Sequence, residues 1–431
     1  MLRTNARRLQ RFLEEIARFG ASSGGGVTRL ALTDEDRDAR DQLKTWFAEA
    51  GCEVHVDRMG NMFFVLPGTD RDLPPVMTGS HGDSQPQGGR FDGILGIIAG
   101  LEVVHTLQDA GVRLRRDLIV VNWTNEEGSR FTPGTTGSGV FAGRLDRETV
   151  YGLTDRDGRT FGDELTRIGY RGDMDFVPGP LHANFEYHIE QGPVLERLGV
   201  PIGVPKGIVC LRWYDIHVHG VPNHAGATPM NERQDAVLAF ARMAQSVAEI
   251  GRAAGDGLVA TVGEVHPTPN SRNVIAGHVH FSIDVRGWNE PRTDAACAAM
   301  EQMLAEVAEQ EGCTVEIGRT WTVERAPFHP RLTAMVRTAA EELGLAAHDM
   351  VSGASHDTVY VNQIAPSAMI FVPSIGGRSH AEVEETSSQD CAAGADVLLH
   401  CLMHTGNDPK TVSYRSADRE DAMSAIHKEH A

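Results

Sequence analysis

No stretch of the 431 residues approaches the ~20 consecutive apolar residues that span a bilayer, so the sequence offers no transmembrane helix. The N-terminal MLRTNARRLQRFLEEIARFG also lacks the apolar core and small-residue cleavage site of a secretory leader. It reads instead as an amphipathic helix, with Leu9, Phe12, Leu13, Ile16 and Phe19 on one face. Cysteine is scarce: the six residues Cys52, Cys210, Cys297, Cys313, Cys391 and Cys401 form no CxxC pair and no zinc-knuckle spacing. Reduced, mostly buried thiols in a cytoplasmic protein are expected. Positive charge is in deficit. Lys+Arg number 40 against 59 Asp+Glu, a formal charge of −19. That balance disfavours both sequence-independent nucleic-acid binding and adsorption to an anionic membrane. What remains, 41% hydrophobic and 23% charged residues, is the composition of a soluble globular chain of one to three domains.

The first ~210 residues alternate helical and strand patterns, which predicts a mainly parallel sheet. Helices are expected at Asp34–Ala50 and Ile94–Leu107, and strands in CEVHVDRMGNMFFVLPG, VMTGSH and Asp117–Trp123. The middle of the chain differs. Strand patterns at Arg212–Gly220, Leu258–Val265, His278–Arg286 and Cys313–Ile317 interleave with helices at Arg233–Ile250 and Thr293–Gln310. That order is β-α-β-β-α-β, the ferredoxin-like arrangement, and ~115 residues suffice for a small domain. The α/β pattern resumes with a helix at Leu332–Leu343, a strand at Ser367–Val372 and a helix at Thr386–Met403. The expected architecture is therefore an α/β domain formed by residues 1–211 and 328–431, interrupted by an α+β lid of residues 212–327. The polar tail from Gly406 is expected to fray.

Four segments concentrate polar chemistry. TGSHGDSQPQGGRFDG supplies His81, Asp83 and Asp92 just past a predicted strand. His-x-Asp at a strand end can provide a metal ligand with a carboxylate that orients it. NWTNEEGSRF, after another buried strand, supplies Glu126 and Glu127; one can ligate a metal while the other acts as a base. FEYHIEQGPVLE contributes His188, and IGGRSHAEVEETS contributes His380. Each segment alone is compatible with a solvated loop. Together they give His81, Asp92, Glu127, His188 and His380, a thiolate-free set that suits Zn, Mn, Co or Ni. Five such ligands, one of them a carboxylate able to bridge, suit a pair of divalent ions.

GSHGDSQPQGGRFDGILG, TNEEGSRF, HIEQGP, NHAGATPM, NSRNVIAG and SGASHD…GGRSH occur in an order that resembles the hydantoinase/carbamoylase family, from residue ~5 to ~405. That group includes N-carbamoyl-L-amino-acid amidohydrolases, β-ureidopropionases and allantoate amidohydrolases. The resemblance implies a two-metal hydrolase domain with a lid, working as a homodimer through that lid. It implies His81 and His380 as terminal ligands, Asp92 as the bridge, and Glu127 and His188 as the remaining ligands. Asp83 would orient His81, and Glu126 would be the general base. Gln191 would contact the substrate, Asn273 and Arg286 would hold its carboxylate, and His224 would stabilise the oxyanion, often from the neighbouring subunit. The implied reaction splits the ureido amide of an N-carbamoyl-L-amino acid or related ureido acid into amino acid, CO2 and ammonia. Allantoate hydrolysis, a peptidase or aminoacylase activity, and a non-catalytic small-ligand-binding role are the alternatives. Gly82 and Ser355 depart from the residues usual in the family, and His356-Asp357 is expected to be structural or substrate-facing.

Overall fold

The computed structural model describes residues 1–176 and 179–409. Most of the polar tail expected to fray, from residue 410, lies outside them. The chain divides into two compact units: Met1–Gly207 with the residues from Pro327 onward, and Ile208–Ala326.

The first unit is built on a mixed sheet in the order Glu53–Val56, Met62–Leu66, Leu118–Trp123, Val76–His81, Ala183–Ile189, Ser367–Val372, Ile202–Ile208. Its four middle strands, Leu118–Trp123 to Ser367–Val372, run parallel, and antiparallel strands flank them on both sides. Every residue of the four parallel strands is buried. Burial on both faces explains why these strands read as continuous apolar runs rather than alternating ones. One face, with Val76, Leu118, Val120, Phe185 and Ile370, packs into the main core beneath Ala6–Ile16, Ile94–Asp109 and Ser388–Asn407. The other, with Met77, Ile119, Val121 and Trp123, joins Phe63 and Val361 in a smaller cluster.

Helix ends follow local chemistry. Asn5 caps Ala6–Ile16 by accepting from Arg7 N and Arg8 N, and Thr33 caps Asp34–Glu49, whose first turn carries Asp34, Glu35 and Asp36. Short helices at Thr136–Phe141, Arg147–Tyr151 and Phe161–Arg167, and strands at Ile202–Ile208 and Ala347–Ser352, add to the predicted elements.

The second unit is a four-stranded antiparallel sheet in the order Thr314–Val323, Cys210–His219, His278–Gly287, Val259–Thr268. Numbered along the chain this is 4-1-3-2, with helices Ala236–Ala254 and Glu290–Gln310 between strands, the expected β-α-β-β-α-β topology. Alternation sends Tyr214, Ile216, Val218, Val279, Phe281 and Ile283 into a core with Met243, Val247, Met300 and Leu304. A two-stranded ribbon pairs Asn223–His224 with Val274–Ile275.

All six cysteines are unpaired and buried. Among the described residues, no helix is long and apolar enough to cross a membrane.

Helix Ser388–Asn407 lies close to the fully buried Tyr187, whose hydroxyl donates to Cys391 O at 3.0 Å. At Gly394 a Cβ would sit 2.4 Å from Tyr187 Cε2. Helix propensity alone would make Gly394→Ala stabilising by about 1 kcal/mol. Overpacking would instead cost about 1–3 kcal/mol. The expected outcome is a lower urea midpoint with an unchanged m-value; a higher midpoint would mean that Tyr187 yields without cost.

Candidate active site

The four parallel strands deliver their C-terminal ends to one edge, where ligands of open α/β sheets bind. His81 is the last residue of its strand, and His188 is next to last in Ala183–Ile189. Glu126 and Glu127 follow Leu118–Trp123, and His380 lies beyond Ser367–Val372 after the turn Ile375–Gly377. Asp92 sits in the loop leading to Ile94–Asp109. The next residue, Gly93, has φ +66°, and a Cβ there would lie 2.3 Å from His81 Nε2. Only glycine lets the loop approach the imidazole this closely.

Asp92 points its two oxygens in different directions. Oδ1 lies 3.1 Å from His188 Nε2 and 3.8 Å from His81 Nε2. Oδ2 lies 3.3 Å from His380 Nε2, which is 3.6 Å from Glu127 Oε2. Two trios of ligating atoms result, His81–Asp92–His188 and Asp92–Glu127–His380, each within 4.8 Å and sharing Asp92. Glu126 adjoins the first, with Oε2 3.5 Å from His81 Nε2.

The donor set fits a pair of divalent cations. Asp92, Glu126 and Glu127 are gathered in the interior, and among the described residues none of their ion pairs or side-chain hydrogen bonds involves Lys or Arg. Glu127 Oε1 is buried with no hydrogen-bond partner among the described residues. Burial, then the Asp92 charge, pushes the Glu127 carboxyl up to about 8, and burial with Asp357 and Glu127 raises Glu126 well above the carboxylate range. Burial holds His81 down at about 4. It also opposes charge on His188 and His380, but their hydrogen bonds to Asp92 outweigh it and raise both to about 9. The same bonds overcome burial at Asp92 and hold its carboxyl well below the usual range.

The loops are held by acids that the sequence reading used differently or passed over. The Asp83 carboxylate does not hydrogen-bond His81. It accepts from Glu126 N and Glu127 N, both at 3.2 Å, while the Asp83 carbonyl lies 2.9 Å from His81 Nδ1. Asp83 therefore orients the imidazole through its backbone and the two glutamates through its side chain. Glu384 accepts from Phe91 N and Asp92 N, both at 3.1 Å, and from Ser379 Oγ at 2.8 Å. Gln85 Nε2 donates to Glu127 Oε2 at 2.8 Å. Glu384 and Gln85 both lie in the motif segments, yet nothing in their spacing distinguishes them from solvated neighbours. Gln191, at φ +58°, donates from Nε2 to Asp92 Oδ2 at 3.0 Å, so its side chain lies among the ligands. At Gly82 a Cβ would meet Asn122 Oδ1 at 3.2 Å, so a larger residue there requires the Asn122 side chain to shift. His356 packs edge-on against His188, ring centroids 4.5 Å apart, and bonds Ser352 Oγ at 2.9 Å. Asp357 is buried and accepts from Ser138 Oγ. Both have structural partners.

The remaining expected residues belong to the second unit. His224 is exposed in the ribbon, and its Nδ1 accepts from Gly226 N at 3.0 Å and Ala227 N at 3.2 Å. The ring proton is thereby assigned to Nε2, which is left as a donor. Asn273 precedes the paired strand, and its carbonyl accepts from Ala225 N at 3.0 Å. Arg286 is bound by Asp284 two residues earlier on the same strand, Nη2 to Oδ2 2.7 Å.

The model of Peptidase family M20/M25/M40 matches residues 77–404. The chain is 43% identical over 403 residues to an N-carbamoyl-L-amino-acid amidohydrolase of Rhizobium meliloti, covering 94% of this chain and 97% of that one. It is 33% identical over 400 residues to an allantoate amidohydrolase of Bacillus subtilis, covering 91% and 95%. The crystal structure of a hydantoinase/carbamoylase family amidase from Burkholderia vietnamiensis superimposes with a TM-score of 0.90 at 45% identity, covering 95% and 99%.

The shared carboxylate makes a stoichiometric prediction. After chelation, the protein is expected to take up two Mn2+ per chain by equilibrium dialysis. Asp92→Asn should lose both ions and His380→Ala one. Uptake of two ions by Asp92→Asn would exclude Asp92 as the shared ligand.

Proposed function

The chain belongs to the M20/M25/M40 peptidase family and, within it, to the hydantoinase/carbamoylase group; from that membership we propose that it is a metal-dependent amidohydrolase of N-carbamoyl-L-amino acids. The observation that carries this reading is the pair of ligand trios sharing Asp92 at the sheet edge. The higher identity to the carbamoylase relative than to the allantoate-hydrolysing one favours the N-carbamoyl amino acid over allantoate.

His81 and His188 would hold one divalent ion, Glu127 and His380 the other, and Asp92 both; Zn, Mn, Co and Ni all suit these ligands. Such a pair supplies Lewis acidity, which polarises a carbonyl and makes water nucleophilic near neutral pH. Glu126 is the base. It takes a proton as water adds to the ureido carbonyl and returns it to the departing amino nitrogen. The carbamate released breaks down to CO2 and ammonia. Asp83 fixes Glu126 and Glu127 through their backbone N–H groups, and Glu384 fixes Asp92 in the same way. Gln191 contributes a donor beside the ligands.

The second unit acts as the lid and joins two chains as a homodimer. His224, with Nε2–H outward, donates to the oxyanion. Arg286 and Asn273 receive the substrate carboxylate, and Asp284 limits the directions the guanidinium can take.

Three measurements test the reading. Metal-restored protein should release ammonia from N-carbamoyl-L-amino acids faster than from allantoate, N-carbamoyl-β-alanine, N-acyl amino acids or dipeptides; peptide turnover alone would transfer it to the peptidase branch. Glu126→Gln should bind metal like the wild type yet lose about 10²–10⁴-fold in kcat, the range of a general base. Undiminished kcat would remove Glu126 from the mechanism. Arg286→Ala should raise KM roughly ten- to hundredfold, as the loss of a charge-assisted bond of about 1.5–3 kcal/mol requires, and should leave metal content unchanged.

A further inference from the structure

The end of helix Ser388–Asn407 carries a histidine pair that the proposed hydrolysis does not use. In the segment His400-Cys401-Leu402-Met403-His404 the two histidines are four residues apart, so both lie on one face of the helix. Cys401 and Leu402 between them are buried in the main core. Helix Pro330–Glu342 packs alongside and ends at Glu342. One ring nitrogen of each histidine and one carboxylate oxygen of Glu342 come within 4.8 Å of one another. Among the described residues three groups of ligating atoms converge in this way, and the other two are the trios that share Asp92.

The trio has one fixed member and two adjustable ones. His400 is only 8% exposed, and its Nε2 lies 3.0 Å from Leu2 O. A carbonyl only accepts, so Nε2 carries the ring proton and Nδ1 keeps its lone pair. Backbone carbonyls hold metal-binding imidazoles in the same manner. The side chains of His404 and Glu342 are 53% and 40% exposed, with His404 Nε2 3.6 Å from Glu342 Oε2. Ligands at about 2.0–2.2 Å in a tetrahedral shell are separated by roughly 3.3–3.6 Å. This pair already has that spacing, and rotation of two half-exposed side chains can close the rest of the trio on His400. Histidines four apart on a helix share an ion in other metalloproteins for the same geometric reason.

The trio lies at the edge of the sheet opposite Asp92. Gly406, two residues beyond His404, accepts at its carbonyl from Arg116 N at 3.1 Å, and Arg116 precedes strand Leu118–Trp123. Glu126 and Glu127 follow the other end of that strand. Its six residues, at about 3.3 Å each, set the two edges roughly 20 Å apart.

We infer that His400, His404 and Glu342 form a second metal site, which binds one Zn2+-class ion and ties helix Pro330–Glu342 to helix Ser388–Asn407. Two imidazoles and a carboxylate favour Zn2+ over Mn2+, so Mn2+ uptake is expected to stay at the two ions of the Asp92 centre.

The test compares the full-length, tag-free protein with His404→Ala and Glu342→Gln after chelation. Each is equilibrated with increasing Zn2+, and bound metal is counted by equilibrium dialysis. At saturation the wild type is expected to hold one more Zn2+ per chain than His404→Ala. Glu342→Gln should bind that ion at least tenfold more weakly. Metal-restored hydrolase activity should be equal in all three. Equal Zn2+ counts and affinities would overturn the inference. Because the readout is a difference between proteins, it does not depend on how many ions the Asp92 centre takes or on which substrate is hydrolysed. Urea midpoints give a second measure. Zn2+ should raise that of the wild type more than that of His404→Ala, since an ion that binds only the folded state stabilises it; equal increments would also overturn the site. Should His404→Ala fail to fold, Glu342→Gln decides, and a Zn2+ isotherm identical to the wild type's would overturn the site.

Discussion

Asp92 is the residue on which the first unit's chemistry depends, because its two oxygens face different partners. A carboxylate bonded on one side only would serve one imidazole set and leave the other without an anion. Several features hold it in this divided state. Glu384 accepts the backbone N–H groups of Phe91 and Asp92, Gln191 and Ser379 reach Oδ2, and Gly93 has no side chain to press on His81. Helix Ile94–Asp109 starts two residues after Asp92, and that helix is held by the sheet beneath it.

The electrostatic consequence follows from burial. Carboxylates brought together without a guanidinium or ammonium repel one another, and desolvation adds to the penalty. Without cations the structure relieves this in two ways: His188 and His380 pair with Asp92 as cations, and Glu126 and Glu127 favour their protonated forms. A divalent ion in each trio would replace both devices at once. The acids in contact with backbone N–H groups, Asp83 and Glu384, have a different function. They orient loops, and their hydrogen bonds would persist whichever ion is held.

Much of this was legible in the sequence, and the part that was not has a physical cause. The parallel strands were readable because strands buried on both faces leave continuous apolar runs, and the candidate ligands stood out because each lies at the end of such a run or in the loop after one. The 4-1-3-2 unit was readable because its alternation is regular. Short helices such as Thr136–Phe141 were not, since that one starts from Thr135 in a left-handed conformation and has no side-chain cap. Gln85 and Glu384 were missed because their importance lies in what they touch across the fold. Asp83 was found, but the direction of its carboxylate was not. The turn after His81 presents a carbonyl to the imidazole and sends the side chain to the next loop, which no spacing rule encodes.

The order of the chain gives the two ligand trios different histories. His81, Asp92 and His188 all precede the second unit, whereas His380 follows it, and strand Ala183–Ile189 pairs with Ser367–Val372 only across about 180 intervening residues. At about 5–20 residues per second, a ribosome needs roughly 10–40 s to supply that strand. Meanwhile the second unit, whose strands pair among themselves, has all its partners at hand. During synthesis the first trio can therefore be complete while the second does not yet exist. A cation captured on the nascent chain would enter at His81 and His188, and would be present to receive the last strand when it arrives.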